Sequence, residues 1–362
     1  MEKLKNFRDK SLERKGSASK QHSPEDEVYS WIGGAFLHSH FRLDDLVDEK
    51  SPQEITPEMA MYLKRYKDGS FSLRAISTYL EEIFGETTLI ADTQHPSYVL
   101  DENYDNLEDT DKVRFFNSNA KEETVDLLTE CILQRAKVIR EAKLTNILTG
   151  VEADILSDHG SLTVHDEGLS QLDYVTASFH SSIWHAAGYQ TLSKTGAIDM
   201  YHYVVENPNV DVISHPTFYI PTEVKAKMSS EDWRELLGNM RDRKVAFEIN
   251  LDSTNLLYTK GGSLDRDIVL LAAKIGTPLV IGFDFHYISD WGGYPSPSLL
   301  LSEDDARRLF KEHAENGSVS RLLARVLGNL YALKEMGLRP HNIKNASEKH
   351  FLEWLQGKNI PQ

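Results

Sequence analysis

The chain is predicted to be α/β, a distorted (β/α)7 barrel of the TIM-barrel-like kind with a metal site at the C-terminal ends of its strands. Three observations predict this. Seven short runs rich in Val, Ile and Leu recur along the 362 residues, the continuous apolar character that strands buried on both faces need. Helical patterns separate most of these runs, and alternation of strand and helix argues for a parallel sheet. Histidines and carboxylates stand at or just beyond the ends of successive runs, where a barrel gathers its functional side chains.

Residues 1–28 carry Lys, Arg, Ser and Glu without periodicity and read as a flexible or helical extension. The barrel domain is expected over 29–340. Its strands are expected at 34–37, 88–92, 147–155, 174–178, 210–214, 245–249 and 279–283. Helical periodicity covers 57–67 and 73–84 between the first two strands, then 121–143, 229–243 and 264–275. The polar, acidic stretch 101–119 has no period and reads as an exposed loop near the mouth of the site. A Gly/Pro-rich loop follows at 291–297. Helices at 303–313 and 319–336 close the domain, and 341–362 reads as a helical tail packed on the barrel.

Composition narrows the function. The formal net charge is −16, which opposes non-specific binding to nucleic acid, because that depends on Lys and Arg neutralising phosphates. No apolar run is long enough for a membrane span. The first twenty-one residues lack the apolar core of a secretory signal. The lone cysteine, Cys131, excludes an internal disulfide and lies on the apolar face of the 121–143 pattern, where a packed thiol is the reading. A cytoplasmic location is expected.

The chemistry is carried by His38, His40, His95, Glu152, His180, His215, Glu248, Asp284 and His286. Residues two apart on a strand face the same way, so His38 and His40 can address one metal, and imidazole suits zinc, iron and manganese. Alone, His-x-His also describes a surface pair. Asp45 can turn back as a carboxylate ligand, with Asp44 competing. Glu152 sits among apolar neighbours, where a carboxylate is expensive unless it is paired or bound to a cation. It is the bridging candidate, with an Arg partner as the plainer reading, and Asp154 shares its strand face as an alternative ligand or a structural residue. His180 and His215 close their strands. Taken singly, each also fits a core histidine with a hydrogen-bond partner. Glu248 is charged inside an apolar strand and reads as a ligand, a residue supporting a ligand, or half of an ion pair. Asp284 and His286 repeat the spacing of the first motif.

As a set these motifs resemble the PHP (polymerase and histidinol phosphatase) superfamily of metal-dependent hydrolases, over roughly 34–287. The segments Gly150-Val151-Glu152-Ala153-Asp154-Ile155, Leu172-Asp173-Tyr174-Val175, Ser178-Phe179-His180, His215-Pro216-Thr217 and Glu248-Ile249-Asn250 look like stand-alone PHP phosphoesterases and the PHP domain of bacterial family X DNA polymerases. The resemblance implies two or three divalent ions, zinc, manganese or iron, with magnesium as a further option. His38, His40, Glu152 and Asp284 would hold one. Asp45 and His95 would help hold a second, and His180 and His215 a third, with His286 near the first two and Glu152 bridging. Glu152, Asp284 and His286 would be the catalytic set, and Lys194 and Arg42 are the candidates to grip phosphate. The chain departs from the pattern at Phe41, at Gln94 where an acidic residue is usual, at Phe283 and Phe285 around Asp284, and at Phe218-Tyr219 where Gly-Arg often follows.

The expected function is hydrolysis of a phosphate ester, a small phosphate monoester by preference, by a metal-activated hydroxide. The expected partner is a small phosphorylated molecule. Two alternatives stay open: a PHP-type nuclease acting on DNA ends, and a metal-bound scaffold without turnover.

Overall fold

A computed structural model describes residues 34–41, 89–96, 121–144, 146–186, 191–251, 264–285 and 332–358, with 31, 43, 46, 72–74, 77, 256 and 329–330. Its centre is a closed barrel of seven parallel strands hydrogen-bonded in sequence order, the last to the first. They are β1 (Ala35–Ser39), β2 (Leu89–Asp92), β3 (Ile147–Asp154), β4 (Tyr174–Ser178), β5 (Val212–Ile213), β6 (Ala246–Asn250) and β7 (Leu279–Phe285). All seven fall within or across the predicted apolar runs, and every strand residue from β1 to β6 is buried.

Helices between the strands are α1 (Lys121–Glu141), α2 (Asp166–Leu169), α3 (Ser181–Ala186), α4 (Lys194–Glu206), α5 (Thr222–Lys225), α6 (Ser230–Arg243) and α7 (Leu264–Ile275). The α1 helix buries Leu128, Cys131, Ile132, Arg135 and Ile139, a stripe at i, i+3, i+4 spacing. Burial pushes the Cys131 thiol up to about 12, so it is inert packing. The α6 helix opens with a full capping box: the Ser229 hydroxyl accepts from the Asp232 N–H and the Asp232 carboxylate accepts from the Ser229 N–H. It ends at Lys244 in the left-handed conformation. No described helix is long and apolar enough to cross a membrane. The predicted 57–67 and 303–313 helices, the acidic 101–119 stretch and the 291–297 loop lie outside the described residues.

The two-residue alternation of the strands divides the core in two. Phe36, Ile90, Val151, Val175, Ile213, Phe247 and Ile281 join the cluster shared with the helices. Ala35, Leu37, Leu89, Leu148, Tyr174, Val212, Ala246 and Val280 form a second cluster inside the barrel, together with Phe351, Leu352, Trp354 and Leu355. Those last four belong to α8 (Glu348–Lys358), which thus closes the end where the strands begin. Asn345 fastens the seam there: its side chain donates to the carbonyls of Ala35 and Ile281 and accepts from the Ile281 N–H, joining β1 to β7. Lys358 adds a buried ion pair to Asp211, whose other oxygen accepts from the Val175 N–H. With the lower half filled by apolar side chains, the polar inward residues of β3, β4, β6 and β7 occupy the half toward the strand ends.

Candidate metal centre

The strands β3, β6 and β7 deliver their polar groups by the same rule. Inward positions that are apolar early in the strand become polar later: Leu148 then Glu152 and Asp154 on β3, Ala246 then Glu248 on β6, Val280 then Asp284 on β7. Glu152 lies inside its strand, two residues short of the end. The β1 strand departs from regular alternation. The register shifts between Leu37 and Ser39 against β7, and His38 has φ 58°. The paired orientation of His38 and His40 therefore arises from a bulge and not from the simple two-residue repeat that the sequence suggested. His215 (φ 29°) and Asp284 (φ 50°) are left-handed too. Non-glycine residues rarely adopt this region, and holding them there requires the surroundings to enforce it.

Glu152 is fully buried, with five imidazoles directed at its carboxylate. His38, His40 and His95 bring Nε2 to 2.9, 3.4 and 3.0 Å of Oε2. His215 and His180 bring Nε2 to 3.0 and 3.6 Å of Oε1. Asp284 Oδ1 stands 3.4 Å from His38 Nε2 and 3.5 Å from His40 Nε2. The rings pack on one another, His40 stacked on His95 at 4.7 Å between centroids and His180 at 5.1 Å from His215. Tyr219 lies edge-on to both His180 and His215.

The outer ring nitrogens are fixed by carboxylates. His38 Nδ1 donates to Glu248 Oε1 at 2.6 Å, and His180 Nδ1 donates to Asp154 Oδ1 at 2.7 Å. An ionised carboxylate only accepts, so both Nδ1 atoms carry hydrogen and both Nε2 atoms turn toward Glu152. There each ring must be an imidazolium or must share its lone pair with a cation. Burial pulls His38 down, yet Glu152, Glu248 and Asp284 together hold it well above the ordinary histidine value. Burial lowers His180 despite the pull of Asp154 and Glu152, which leaves a neutral ring with its lone pair facing an anion. Burial pushes Glu152 up, but His38, His95 and the His215 hydrogen bond overcome it and hold the carboxyl well below the usual range. The donor set fits divalent cations. Ligand atoms converge within 4.8 Å in three groups, His38-His40-Glu152-Asp284, His95-Asp154-His180 and Glu152-His180-His215. Glu152 belongs to two of them, as a bridging carboxylate would.

Six predicted histidine and acidic positions, with His215, therefore come together: His38, His40, His95, Glu152, His180 and Asp284. Asp154 groups with His95 and His180, a role the sequence left open between ligand and support. Glu248 sits behind the cluster on His38. Asp45, His286 and Arg42 lie outside the described residues. Lys194 opens α4 and its Nζ is 2.7 Å from Asp232 Oδ2, a partner on α6 and not in the cluster. Sequence reasoning missed Arg135 and Asp92. Arg135 Nε and Nη2 donate to the two Asp92 oxygens, and Nη2 also to the Phe41 carbonyl. This brace ties the end of β2 to the chain just past His40. A charged residue in the apolar run 88–92 was the signal available.

No family model matches the chain. Curated relatives are similar to it over part of its length. A protein of Shewanella amazonensis named "probable phosphatase" is 29% identical over 165 residues, 45% of this chain and 59% of the relative. One of Vibrio cholerae with the same description is 29% identical over 162 residues, 43% and 58% of the two chains. One of Clostridium acetobutylicum, likewise described, is 28% identical over 174 residues, 47% and 64%. The chain thus spans about three fifths of the length of the curated relatives it matches.

Proposed function

We propose that this protein is a metal-dependent phosphoesterase of the PHP kind, acting on a small phosphate monoester. The observation that carries the reading is the buried Glu152 carboxylate ringed by five imidazole nitrogens, two of them with Nδ1 hydrogens tied to carboxylates behind. A merely structural core has no use for so many titratable groups around one anion, because each must be desolvated. The names of the curated relatives favour a phosphatase. The formal charge of −16 favours a small anion gripped locally over a polyanion.

His38, His40, Glu152 and Asp284 would hold one cation, and Glu152, His180 and His215 another. Asp154 with His95 would supply a further position, completed by Asp45 and His286. Bound divalent cations in such a site lower the pKa of water and neutralise phosphate oxygens. The chain's part would be to present the inward ring nitrogens to such cations and to hold most of these residues buried away from solvent. Glu248 and Asp154 hold the rings of His38 and His180 in one orientation, and the Arg135–Asp92 brace fixes the ends of β1 and β2.

The test is elemental analysis of the purified protein together with p-nitrophenyl phosphate hydrolysis in added manganese, zinc or iron. The Glu152→Ala/His215→Ala variant serves as control. Two or more ions per chain, a chelator-induced fall in melting temperature and turnover abolished in the variant are the expected results. Metal without turnover of any monoester would transfer the reading to a nuclease or a silent scaffold, and absence of metal would end it.

A further inference from the structure

Glu248 makes contacts that a simple charge partner would not make. It lies on β6, yet its Oε1 accepts from His38 Nδ1 of β1 at 2.6 Å, reaching past the intervening strand β7. Its Oε2 accepts from the His215 backbone N–H at 2.7 Å, and the Asn250 amide reaches the same oxygen at 3.4 Å. Both main donors belong to left-handed residues, His38 and His215. The carboxylate passes directly over Gly282. A Cβ built on Gly282 would stand 1.7 Å from Glu248 Oε1 and 2.6 Å from its Cδ, so this stretch of β7 must be bare for the carboxylate to reach across.

We infer that Glu248 and Gly282 form one positioning device for the metal centre. The carboxylate fixes His38 with its Nδ1 hydrogen outward and its Nε2 lone pair inward, and it holds His215 in its left-handed backbone conformation. Gly282 is the seat that allows this. The inference rests on the metal-centre reading above. Its chemical core is a count of hydrogens. Both oxygens of Glu248 receive hydrogens, and neither has one to give. Glutamine at this position has nearly the same shape but must turn an NH2 toward one of its two neighbours. Facing His38 Nδ1, that group drives the ring to the opposite tautomer and places a hydrogen on the nitrogen that faces Glu152. Facing the His215 N–H, it sets donor against donor. No orientation of glutamine serves both.

The experiment compares the parent chain with Glu248→Gln, Gly282→Ala and, as a control, Gly238→Ala, where an added Cβ meets nothing. Zinc affinity and stoichiometry are measured, together with melting temperatures of the zinc-loaded and metal-free forms and imidazole 15N–1H correlation spectra of 15N-histidine-labelled protein in both forms. In the parent, a His38 Nδ1–H signal is expected, shielded from exchange. In Glu248→Gln that signal is lost or strongly shifted, zinc affinity falls about 10–100-fold as for other residues that orient a ligand, and the rise in melting temperature on zinc binding shrinks. Gly282→Ala gives the same pattern, and Gly238→Ala behaves as the parent. Should Gly282→Ala fail to fold, the near-isosteric Glu248→Gln carries the test alone. Parent-like zinc affinity with the Nδ1–H signal intact in Glu248→Gln would overturn the inference. So would an equal loss of melting temperature in the loaded and metal-free forms, which marks a merely structural residue. If the parent binds no metal, the metal-centre reading fails. The metal-free spectra then still decide whether Glu248 holds the His38 hydrogen.

Discussion

Replacing Arg135 by methionine leaves a charge without its counterpart. In the parent, Arg135 donates to the Asp92 oxygens at 2.6 and 2.7 Å and to the Phe41 carbonyl at 2.6 Å, and both side chains are buried. Methionine replaces the aliphatic stem but supplies no donor. An exposed pair of this kind would be worth no more than about 1 kcal/mol. Breaking a buried pair from one side costs about 3–5 kcal/mol, because the remaining charge stays desolvated. The geometry places this pair in the second regime, so a loss of about 4 kcal/mol at pH 7 is expected from urea unfolding. The pH dependence follows from the same facts. Burial already pushes the Asp92 carboxyl up, and Arg135 pulls it back, so removing the arginine leaves burial to act alone. A carboxyl whose folded pKa lies above its unfolded value of about 3.9 binds more protons when folded, so stability falls as pH rises through that interval. The deficit of Arg135→Met is therefore greatest near neutrality and shrinks on acidification toward about pH 5. Adding Asp92→Asn removes the stranded charge and recovers most of the loss. A deficit below about 1 kcal/mol at pH 7, or a double variant no more stable than Arg135→Met, would refute this account of the brace.

Phe351→Ala empties the centre of the barrel floor, where the ring packs near Tyr174 and Trp354. A loss of about 3–5 kcal/mol in urea unfolding is expected with metal content per chain unchanged, and a loss of metal would show that floor and site are not separable. Asp232→Ala removes the N3 half of the α6 capping box, leaving the Ser229 N–H without its acceptor, and should lower stability by about 1 kcal/mol. Lys194 and then Ser229 hold the Asp232 carboxyl down to about 2. The parent's advantage is therefore complete above the unfolded value and disappears as pH falls from about 4 toward about 2, which acid titration followed by circular dichroism checks. Phe218 is 51% exposed and stacks edge-on with Tyr219, itself against His180 and His215. Phe218→Ala should raise KM for aryl phosphates about 2–10-fold, the worth of one aromatic contact, and leave alkyl phosphates alone; equal effects on both would remove Phe218 from substrate selection.

The strands were legible because a strand buried on both faces must be apolar throughout, and turn residues bound each run. The 121–143, 229–243 and 264–275 helices were legible for a similar reason, their apolar stripes being regular. The α4 helix went unread although its signal is present: Ala197, Met200, Tyr201, Val204 and Val205 are buried at helical spacing behind the Ser193 cap. Its β-branched and aromatic residues gave no strong propensity against which to notice the stripe. The site histidines were legible through their positions at strand ends. Their partners were less so. Asp154 reaches His180 through the direct pairing of β3 with β4, which a linear reading does not display, and Glu248 reaches His38 from the far end of the chain, where only closure of the barrel brings the two together. The bulge at His38 had no local marker, since no glycine accompanies it and its left-handed backbone is held by tertiary contacts alone.

The packed floor under the barrel also governs traffic. With α8 and the inward apolar side chains filling the end where the strands begin, that end offers no route through the barrel to Glu152, and the cluster is approached from the side of the strand ends. For a phosphoesterase this makes liberated phosphate and incoming ester rivals for a single doorway. Ambient phosphate would then compete with the ester for occupancy of that approach and raise the apparent KM.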